Sequence, residues 1–368
     1  MLFSLGFFAP PAAEAAPNGD AVQVPLAVHV RGNTLVDGRG KAIRLLGVDR
    51  SGTEYMCLSG GGIFDGPVGA AAIALIRAWH ANVVRIPLNE DCWLGINLGA
   101  GNPDQGALYR NAILRFVSRL NAAGLYAILD LHWNAPGKNL ANAQQPMADA
   151  DHAPAFWSSV AAAFRDRPAV IFDLYNEPYV ESWRCWRDGC TVTTGAQPWR
   201  TAGMTALVAA VRKAGATQPI MLGGLAYASD LGRWLAYAPD DPLRSAATNP
   251  VRGQAQLVAG YHSYCGPPGT ATPAACRSWL VATKAQWPAV TRVAKTVPVV
   301  TGELGEYDCA TTYVAPFMKF ADQGRLSYLG WAWDTYDCGG FPALIADYSG
   351  TPTRYGIGLM RHLAALAR

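Results

Sequence analysis

Two glutamates stand where carboxyl groups could do chemistry rather than serve solubility. The chain has only seven glutamates. Glu177, in the tripeptide NEP, and Glu303, in the segment VVTGE, each come directly after an apolar run. A carboxyl group at the end of a buried strand is costly to hold without a partner or a task. If the fold brings the two together, one could act as an acid and the other as a nucleophile.

The elements that must position them alternate between short apolar strands and helical segments. Eight runs of strand type occur, at residues 43–48, 82–86, 126–131, 170–175, 219–222, 257–261, 297–300 and 328–331. Segments of helical period lie at residues 68–80, 109–123, 153–164, 198–214, 279–294, 313–323 and 357–367. Eight such units without a Pro- or Ser-rich linker predict a single-domain α/β fold, the (β/α)8 or TIM barrel. Alternating apolar and polar residues over 28–46 add an N-terminal β-hairpin.

In such a barrel, the loops after the strands form one mouth at the C-terminal strand ends. The polar and aromatic residues at the predicted strand ends therefore converge there. They are Arg85, His132, Trp133, Asn176, Glu177, His262, Tyr264, Glu303 and Trp333. Because strands four and seven end across the mouth from each other, Glu177 and Glu303 could approach to the roughly 5–5.5 Å that a retaining glycosidase requires.

These positions, taken in order, resemble glycoside hydrolase family 5, the cellulase-type retaining glycosidases. The resemblance extends from about residue 28 to the C-terminus. It implies that Glu177 is the acid/base, that Glu303 is the nucleophile and that Asn176 contacts a sugar 2-hydroxyl. The other positions that match the family are Arg85, His132, His262, Tyr264 and Trp333.

Elementary electrostatics agrees with these implied roles. A cationic Arg85 beside Glu303 would keep the nucleophile ionised. The charge of Glu303 and apolar neighbours would raise the pKa of Glu177, so that it starts the cycle protonated. His132 and His262 are expected to orient protons and hydrogen bonds rather than bind metal. A buried structural ion pair is the alternative for the two glutamates.

The resemblance implies a secreted endo-β-1,4-glucanase that forms a covalent glycosyl-enzyme intermediate. A β-mannanase, another β-glucanase or an exo-acting β-glycosidase of the same family remains open. A non-catalytic carbohydrate-binding barrel would need one carboxylate to be missing, and both are present. We expect no metal and no cofactor, because no two of the six histidines have the spacing of a metal-ligand cluster.

Aromatic rings in the strand-to-helix loops are candidates for binding sugar faces. Trp333 is preferred over Trp331 as the platform, because it lies nearer the strand end and matches the family position; Trp331 is expected in the core. Trp133 is a second candidate. For the remaining loop rings, ordinary packing is an equal alternative; they are Trp93, Trp183, Trp186, Tyr227 and Tyr307.

The eight cysteines contain no CxxC pair, which favours disulfides in an oxidising compartment over a structural metal site. Proximity of the predicted loops suggests four pairs. These are Cys57–Cys92, Cys185–Cys190, Cys265–Cys276 and Cys309–Cys338.

The N-terminal residues 1–20 resemble an export leader, with a short apolar run and an alanine-rich stretch but no preceding Lys or Arg. Residues 21–368 are predicted to form the catalytic domain. A net charge of +3 with no basic run argues against nucleic acid or a membrane as partner. We expect a secreted, extracellular or periplasmic protein, monomeric, whose partner is a polysaccharide or oligosaccharide.

Overall fold

The computed structural model describes residues 26–193, 197–266 and 269–368. The leader predicted for residues 1–20 lies outside these ranges. The strands are β1 (Val28–Arg31), β2 (Thr34–Asp37), β3 (Ala42–Ile43), β4 (Leu46–Asp49), β5 (Val83–Asn89), β6 (Tyr126–Trp133), β7 (Val170–Asp173), β8 (Thr191–Val192), β9 (Trp199–Arg200), β10 (Ile220–Gly223), β11 (Leu257–Tyr264), β12 (Val299–Gly305) and β13 (Ser327–Gly330).

Eight of these strands close into a parallel barrel, in the order β4, β5, β6, β7, β10, β11, β12 and β13. The ring closes where Tyr328 of β13 pairs with Leu46 of β4. The strands are buried almost throughout, as expected of a parallel sheet covered by helices. The predicted (β/α)8 barrel is confirmed.

Helices surround the barrel and follow most of its strands. They are α1 (Met56–Ser59), α2 (Ala70–Ala78), α3 (Glu90–Leu94), α4 (Ala107–Ala122), α5 (Ala153–Phe164), α6 (Trp183–Asp188), α7 (Gly203–Lys213), α8 (Trp234–Tyr237), α9 (Pro273–Lys284), α10 (Trp287–Ala294), α11 (Val314–Gln323) and α12 (Arg354–Leu366), with a short 3-10 helix at Pro242–Ser245. Helix α12 illustrates how the sequence starts a helix and buries one of its faces. The Thr353 hydroxyl accepts a hydrogen bond from the Gly356 N–H at 3.0 Å, and Tyr355, Leu359 and Leu363 are buried at i, i+4 spacing. None of the helices in the described ranges combines the length and apolarity needed to cross a bilayer.

The predicted hairpin is present and seals the lower end of the barrel. Strands β1 and β2 pair antiparallel around Gly32 and Asn33, and β3 adds a third strand. Val28 donates its N–H to the carbonyl of Pro168, and Val30 exchanges two hydrogen bonds with the Gln256 side chain. Both partners precede barrel strands, so the hairpin lies at the N-terminal strand ends.

Several predicted boundaries need correction. The first barrel strand was expected at residues 43–48, but it begins at Leu46 because Ile43 pairs with Leu35 in the hairpin. The helix expected over 279–294 is two helices, α9 and α10, and Pro288 lies in the first turn of α10. The helix expected over 198–214 begins only at Gly203, since β9 pairs with β8 before it.

All eight cysteines are paired, and the four disulfides are those that loop proximity suggested. Two of them join successive mouth loops: Cys57–Cys92 links the loops after β4 and β5, and Cys309–Cys338 links those after β12 and β13. The other two each close a short loop, after β7 and after β11. The cross-links therefore concentrate at the mouth.

Candidate active site

Strand alternation places a charged layer directly above an apolar floor. Val83, Ile128 and Ile171 belong to the apolar cluster inside the lower barrel. Successive residues of a strand point to opposite faces of the sheet. The residue two positions further along a strand therefore points inward again and belongs to the next layer. Arg85 follows Val83 in this way, and Asp130 and Asp173 follow Ile128 and Ile171.

Arg85 is fully buried at the centre of this layer. Its guanidinium forms ion pairs with four carboxyl groups: Asp49 at 3.2 Å, Asp130 at 3.1 Å, Asp173 at 3.0 Å and Glu303 at 2.8 Å. One cation cannot balance four buried anions. Burial raises the pKa of Asp130 to about 7 and that of Asp49 and Asp173 well above the usual value. Burial therefore disfavours the charged form of the aspartates, while Glu303 makes the shortest of the four contacts with the guanidinium, at 2.8 Å.

Glu303 is fixed by donors on both oxygens. Arg85 donates to Oε1, and the Tyr264 hydroxyl donates to Oε2 at 2.6 Å. The side chain of Glu303 is only 5% exposed. Two strong donors on separate oxygens lock the rotamer of this carboxyl group, as a positioned nucleophile requires.

Glu177 follows β7 and faces a different environment. Its side chain keeps 20% of its surface exposed at the mouth, while the rest is enclosed. Burial raises its pKa to about 7, against the opposing charge of Arg85. Both apolar neighbours and the charge of Glu303 were expected to raise this pKa; desolvation by burial is the leading cause, and Glu303 is not among the causes. The group is therefore poised to donate a proton near neutral pH.

His262 lies between the two carboxyl groups. Its Nδ1 is 3.0 Å from Oε1 of Glu177 and 3.5 Å from Oε2 of Glu303. Burial lowers the pKa of His262 to about 3 and that of His132 to about 4, so both rings are neutral at ordinary pH. His132 Nδ1 lies 2.7 Å from Oδ2 of Asp130, and this hydrogen bond fixes the plane of the ring.

Asn176 is held by a residue that sequence reasoning missed. Its side-chain oxygen accepts from Arg85 at 2.8 Å, and its Nδ2 donates to Gln144 Oε1 at 3.1 Å. Gln144 also donates to the backbone carbonyl of Glu177 at 3.0 Å. The sequence around Gln144 has neither helical nor strand periodicity, so it did not indicate a role for this residue. Asp49 was also missed, although it ends an apolar run as Glu177 does.

The two tryptophans after β13 are both buried, but their surroundings differ from those predicted. Trp333 packs edge-on against Trp79, with ring centroids 4.7 Å apart, and joins the apolar core. Trp331 stacks on His132, with centroids 5.4 Å apart and planes 14° apart. The strand ends at Gly330, so strand alternation no longer governs these positions. Trp333, 2% exposed, lies in the apolar core, which argues against its role as sugar platform; Trp331, 6% exposed, lies beside His132 and is the better candidate.

The other candidate rings divide between mouth and core. Trp133 is half-buried beside Tyr55, with centroids 6.4 Å apart. Tyr307 lies beside Tyr264, and Tyr227 is exposed. Three rings that were candidates are packed in the core instead, namely Trp93, Trp183 and Trp186.

Among the described residues, two groups have ligand atoms close enough to hold a metal ion. One is Glu177, His262 and Glu303, which coincides with the carboxyl pair; in it one oxygen from each glutamate and a His262 nitrogen lie within 4.8 Å of one another. The other includes Cys276, whose sulfur is committed to a disulfide. Histidine spacing along the chain did not predict the first group, because the ligands come from separate strands.

Known proteins of similar sequence and structure carry glycosidase names. The chain is 25% identical to endoglucanase MaCel5A of Microbulbifer over 160 residues, covering 42% of this chain and 27% of that protein. It is 23% identical to endoglucanase CelA of Streptomyces lividans over 331 residues, or 87% of this chain and 59% of that one. The chain thus spans less than two thirds of either relative.

Solved structures share the fold at low identity. A β-glucanase of Saccharophagus degradans, crystallised with cellotetraose, superposes with a TM-score of 0.66 at 19% identity, covering 97% of this chain and 98% of that one. A mannanase catalytic domain from Streptomyces reaches a TM-score of 0.60 at 20% identity, covering 95% and 94%.

The family model described as cellulase, glycosyl hydrolase family 5, matches residues 39–337. This range contains the whole of the carboxyl pair, the Arg85 cluster and both histidines. The chain therefore belongs to glycosyl hydrolase family 5.

Proposed function

We propose that this protein is a retaining β-glycosidase, an endo-β-1,4-glucanase in which Glu177 is the acid/base and Glu303 the nucleophile. The observation that carries the proposal is the approach of the two carboxyl groups to within 4.8 Å. Inverting enzymes keep their carboxyl groups about 6.5–9.5 Å apart to admit a water molecule, whereas retaining enzymes hold them at about 5–5.5 Å.

In the first step, Glu303 attacks the anomeric carbon while Glu177 gives its proton to the glycosidic oxygen. The bond between that carbon and oxygen breaks, the leaving sugar departs as an alcohol, and a glycosyl ester forms on Glu303. Arg85 and Tyr264 orient the attacking carboxylate through their hydrogen bonds. A pKa of about 7 lets Glu177 hold its proton until the leaving oxygen needs it.

In the second step, Glu177 is a carboxylate and takes a proton from water. The water oxygen attacks the anomeric carbon, the ester breaks, and Glu303 regains its charge. His262 lies within hydrogen-bond distance of Glu177, and its neutral ring can accompany both protonation states without adding charge. Two displacements leave the anomeric configuration unchanged.

Composition and relatives support a neutral β-glucan as substrate. Charged residues make up only 15% of the chain, and aromatic side chains make up 10%. The matched relatives are endoglucanases, and a structural neighbour was crystallised with cellotetraose. Trp331 and Trp133 offer ring faces at the mouth for sugar C–H groups.

Export and monomeric action complete the proposal. Four disulfides suit an oxidising compartment outside the cytoplasm, where a polysaccharide too large to be imported must be cut.

The proposal is tested by following hydrolysis of a soluble β-linked oligosaccharide by proton NMR. The β-anomer of the new reducing end should appear before mutarotation; the α-anomer appearing first would contradict a retaining mechanism. Glu303→Ala should lose nearly all turnover and recover part of it in azide, giving the α-glycosyl azide.

A substrate panel then tests the sugar and the mode of action. Soluble cellulose, mannan, xyloglucan, β-1,3-glucan and aryl glycosides are compared, with viscosity measured alongside reducing ends. We expect soluble cellulose to be the best polymer and its viscosity to fall early. Preference for mannan, or release of one small product without viscosity loss, would replace the endo-β-1,4-glucanase assignment.

A further inference from the structure

The amide of Asn176 lies beside the carboxyl group of the proposed nucleophile. One terminal nitrogen of the Arg85 guanidinium donates to Oε1 of Glu303, and the other donates to Oδ1 of Asn176, each at 2.8 Å. A sugar bonded to Glu303 through its anomeric carbon carries its 2-hydroxyl on the next carbon of the ring. This hydroxyl is therefore the substrate group that the Asn176 amide is placed to meet.

The partners of the Asn176 amide decide which way it faces. Arg85 can only donate hydrogen bonds, so the amide oxygen must face it and the amide nitrogen must face away. That nitrogen donates to Oε1 of Gln144 at 3.1 Å and lies 3.5 Å from Nε2 of His132. One N–H is thus committed to Gln144. The second has only the longer His132 contact to give up when a sugar hydroxyl arrives.

The side chain of Gln144 is oriented by the same kind of constraint. Its Nε2 lies 3.0 Å from the carbonyl oxygen of Glu177 and 3.2 Å from that of Gln145. Carbonyl oxygens only accept, so the nitrogen must face them and Oε1 must face Asn176. Neither amide can flip without setting donor against donor or acceptor against acceptor, and each therefore fixes the other.

The loop segment that carries Gln144 is anchored to the end of the strand that carries the acid/base. The carbonyl oxygen of Gln145 lies 2.6 Å from the hydroxyl of Tyr175, which is fully buried. The carbonyl of Pro146 accepts from the backbone N–H of Tyr179 at 2.9 Å. Both tyrosines are two residues from the acid/base in the chain, one before it and one after it. Gln144 itself is half-buried, so its side chain lies at the mouth from a fixed base.

We propose that Gln144 is a positioning residue that makes the first chemical step depend on the 2-hydroxyl of the attacked sugar. It acts through Asn176, whose amide it holds so that one N–H faces that hydroxyl. Hydrogen bonds to the 2-hydroxyl strengthen in the transition state, so a donor already in place lowers the barrier more than it tightens binding. The inference rests on the proposed function and extends it to the recognition of the attacked sugar.

The test removes the 2-hydroxyl from the substrate and Gln144 from the protein. The substrates are para-nitrophenyl β-cellobioside and its analogue without the 2-hydroxyl on the attacked sugar. Both release nitrophenol, which needs little help from an acid, so the contact of Gln144 with the Glu177 backbone has little weight in the comparison. Gln144→Met keeps the length of the side chain and removes its hydrogen bonds. We expect it to lower kcat/KM about tenfold on the complete glycoside and to stay within about twofold on the deoxy analogue.

A second variant and a double variant separate positioning from a general loss of structure. Gln144→Ala removes the same hydrogen bonds and should repeat the pattern, with thermal melts confirming that each variant is folded. In a chain that already carries Asn176→Ala, adding Gln144→Met should change kcat/KM on the complete glycoside by less than about twofold, because the group it positions is gone. A further tenfold loss in the double variant would contradict action through Asn176.

Gln145→Met is the matched control. Gln145 is the next residue and is likewise half-buried, and within the described part of the chain only its carbonyl oxygen, not its side chain, takes part in hydrogen bonds. It should leave both kcat/KM values within about twofold. An equal loss on both substrates in Gln144→Met, or no loss on the complete glycoside, would overturn the positioning role. Wild-type protein that cleaves neither the complete glycoside nor soluble cellulose would instead overturn the proposed function, before any variant is compared.

Discussion

At the scale of single residues, the site separates two chemically identical side chains by their surroundings. Glu303 receives hydrogen bonds from Arg85 and Tyr264 on separate oxygens. Glu177 has neutral His262 beside it, and burial raises its pKa to about 7. Opposite protonation states of two nearby carboxyl groups are what acid and nucleophile roles require.

Removing the proposed acid should lower the rate most on substrates with poor leaving groups. Glu177→Ala should lower kcat about a hundredfold or more on soluble cellulose, because the glycosidic oxygen then leaves unprotonated. An aryl glycoside with a strongly acidic phenol needs no such help in its first step and should keep most of its glycosylation rate. Stopped-flow measurement of phenol release separates that step from hydrolysis. Equal loss on both substrates would contradict the acid role.

The pH dependence follows from the same carboxyl group. Because the proposed acid role requires Glu177 to carry a proton, kcat/KM on polysaccharide should fall as pH rises through about 7. The free energy of unfolding should depend on pH for the same reason. The native pKa lies above the unfolded value of about 4.3, so the native state loses stability between these two pH values as pH rises.

Glu177→Gln removes that penalty and provides the check. Its melting temperature should exceed that of the wild type at pH 8 by several degrees, for a gain of about 3–4 kcal/mol, and the gap should close toward pH 4. A gap that does not change with pH would show that Glu177 ionises in the fold as easily as in the unfolded chain.

Chelation is a further test at this scale. A divalent cation among Glu177, His262 and Glu303 would hold Glu177 ionised and deprive it of the proton it must give. We expect EDTA to leave activity unchanged and excess Zn²⁺ to inhibit. Loss of activity in EDTA that returns with added metal would contradict a metal-free mechanism.

At the scale of elements, the ends of the strands decide what each side chain does. Arg85 and Asp130 reach the centre because they extend the inward face of a buried strand by one layer. Beyond Gly330 the strand has ended, and Trp331 and Trp333 face different surroundings although they are two residues apart.

Truncation of Trp331 should therefore mainly lower activity, whereas truncation of Trp333 should mainly lower stability. Trp331→Ala should reduce kcat/KM on oligosaccharides about tenfold or more with a modest change in melting temperature, since it removes a ring at the mouth. Trp333→Ala should cost about 3–5 kcal/mol of unfolding free energy, since it empties a buried site against Trp79. Paired kinetics and thermal melts check both; the reverse pattern would restore Trp333 as the platform.

Much of this was predictable because strand ends carry a local signal. Apolar runs located all eight barrel strands, and the polar residues within or just beyond the ends of these runs included Glu177, Arg85 and the histidines. What escaped prediction depends on contacts between distant segments. Gln144 lies in a long loop with no period, and the choice between Trp331 and Trp333 turns on where β13 stops.

At the scale of the whole molecule, the mouth is cross-linked and the base is packed. The four disulfides join or close loops after β4, β5, β7, β11, β12 and β13. The opposite end is held by apolar contacts among the hairpin and lower barrel, including Val28, Val30 and Leu35. The loops around the carboxyl pair thus gain rigidity without a core of their own.

The length of the loop that a disulfide closes predicts how much it contributes to the free energy of unfolding. Cys57–Cys92 spans 35 residues and Cys185–Cys190 spans 5. In the chain-entropy account the first stabilises by about 4 kcal/mol and the second by about 2 kcal/mol. The double variant Cys57→Ser/Cys92→Ser should therefore melt at a lower temperature than Cys185→Ser/Cys190→Ser. Equal melting temperatures, measured by calorimetry without reductant, would contradict this order.

The position of the hairpin also bears on how the molecule could be attached to something else. Its hydrogen bonds to Pro168 and Gln256 place β1 at the base of the barrel, with the whole length of the strands between it and the carboxyl pair. A surface or carrier joined ahead of β1 would face away from the mouth. Immobilisation on that side should leave the cleft directed outward, so that the anchored enzyme could still work on an insoluble polymer.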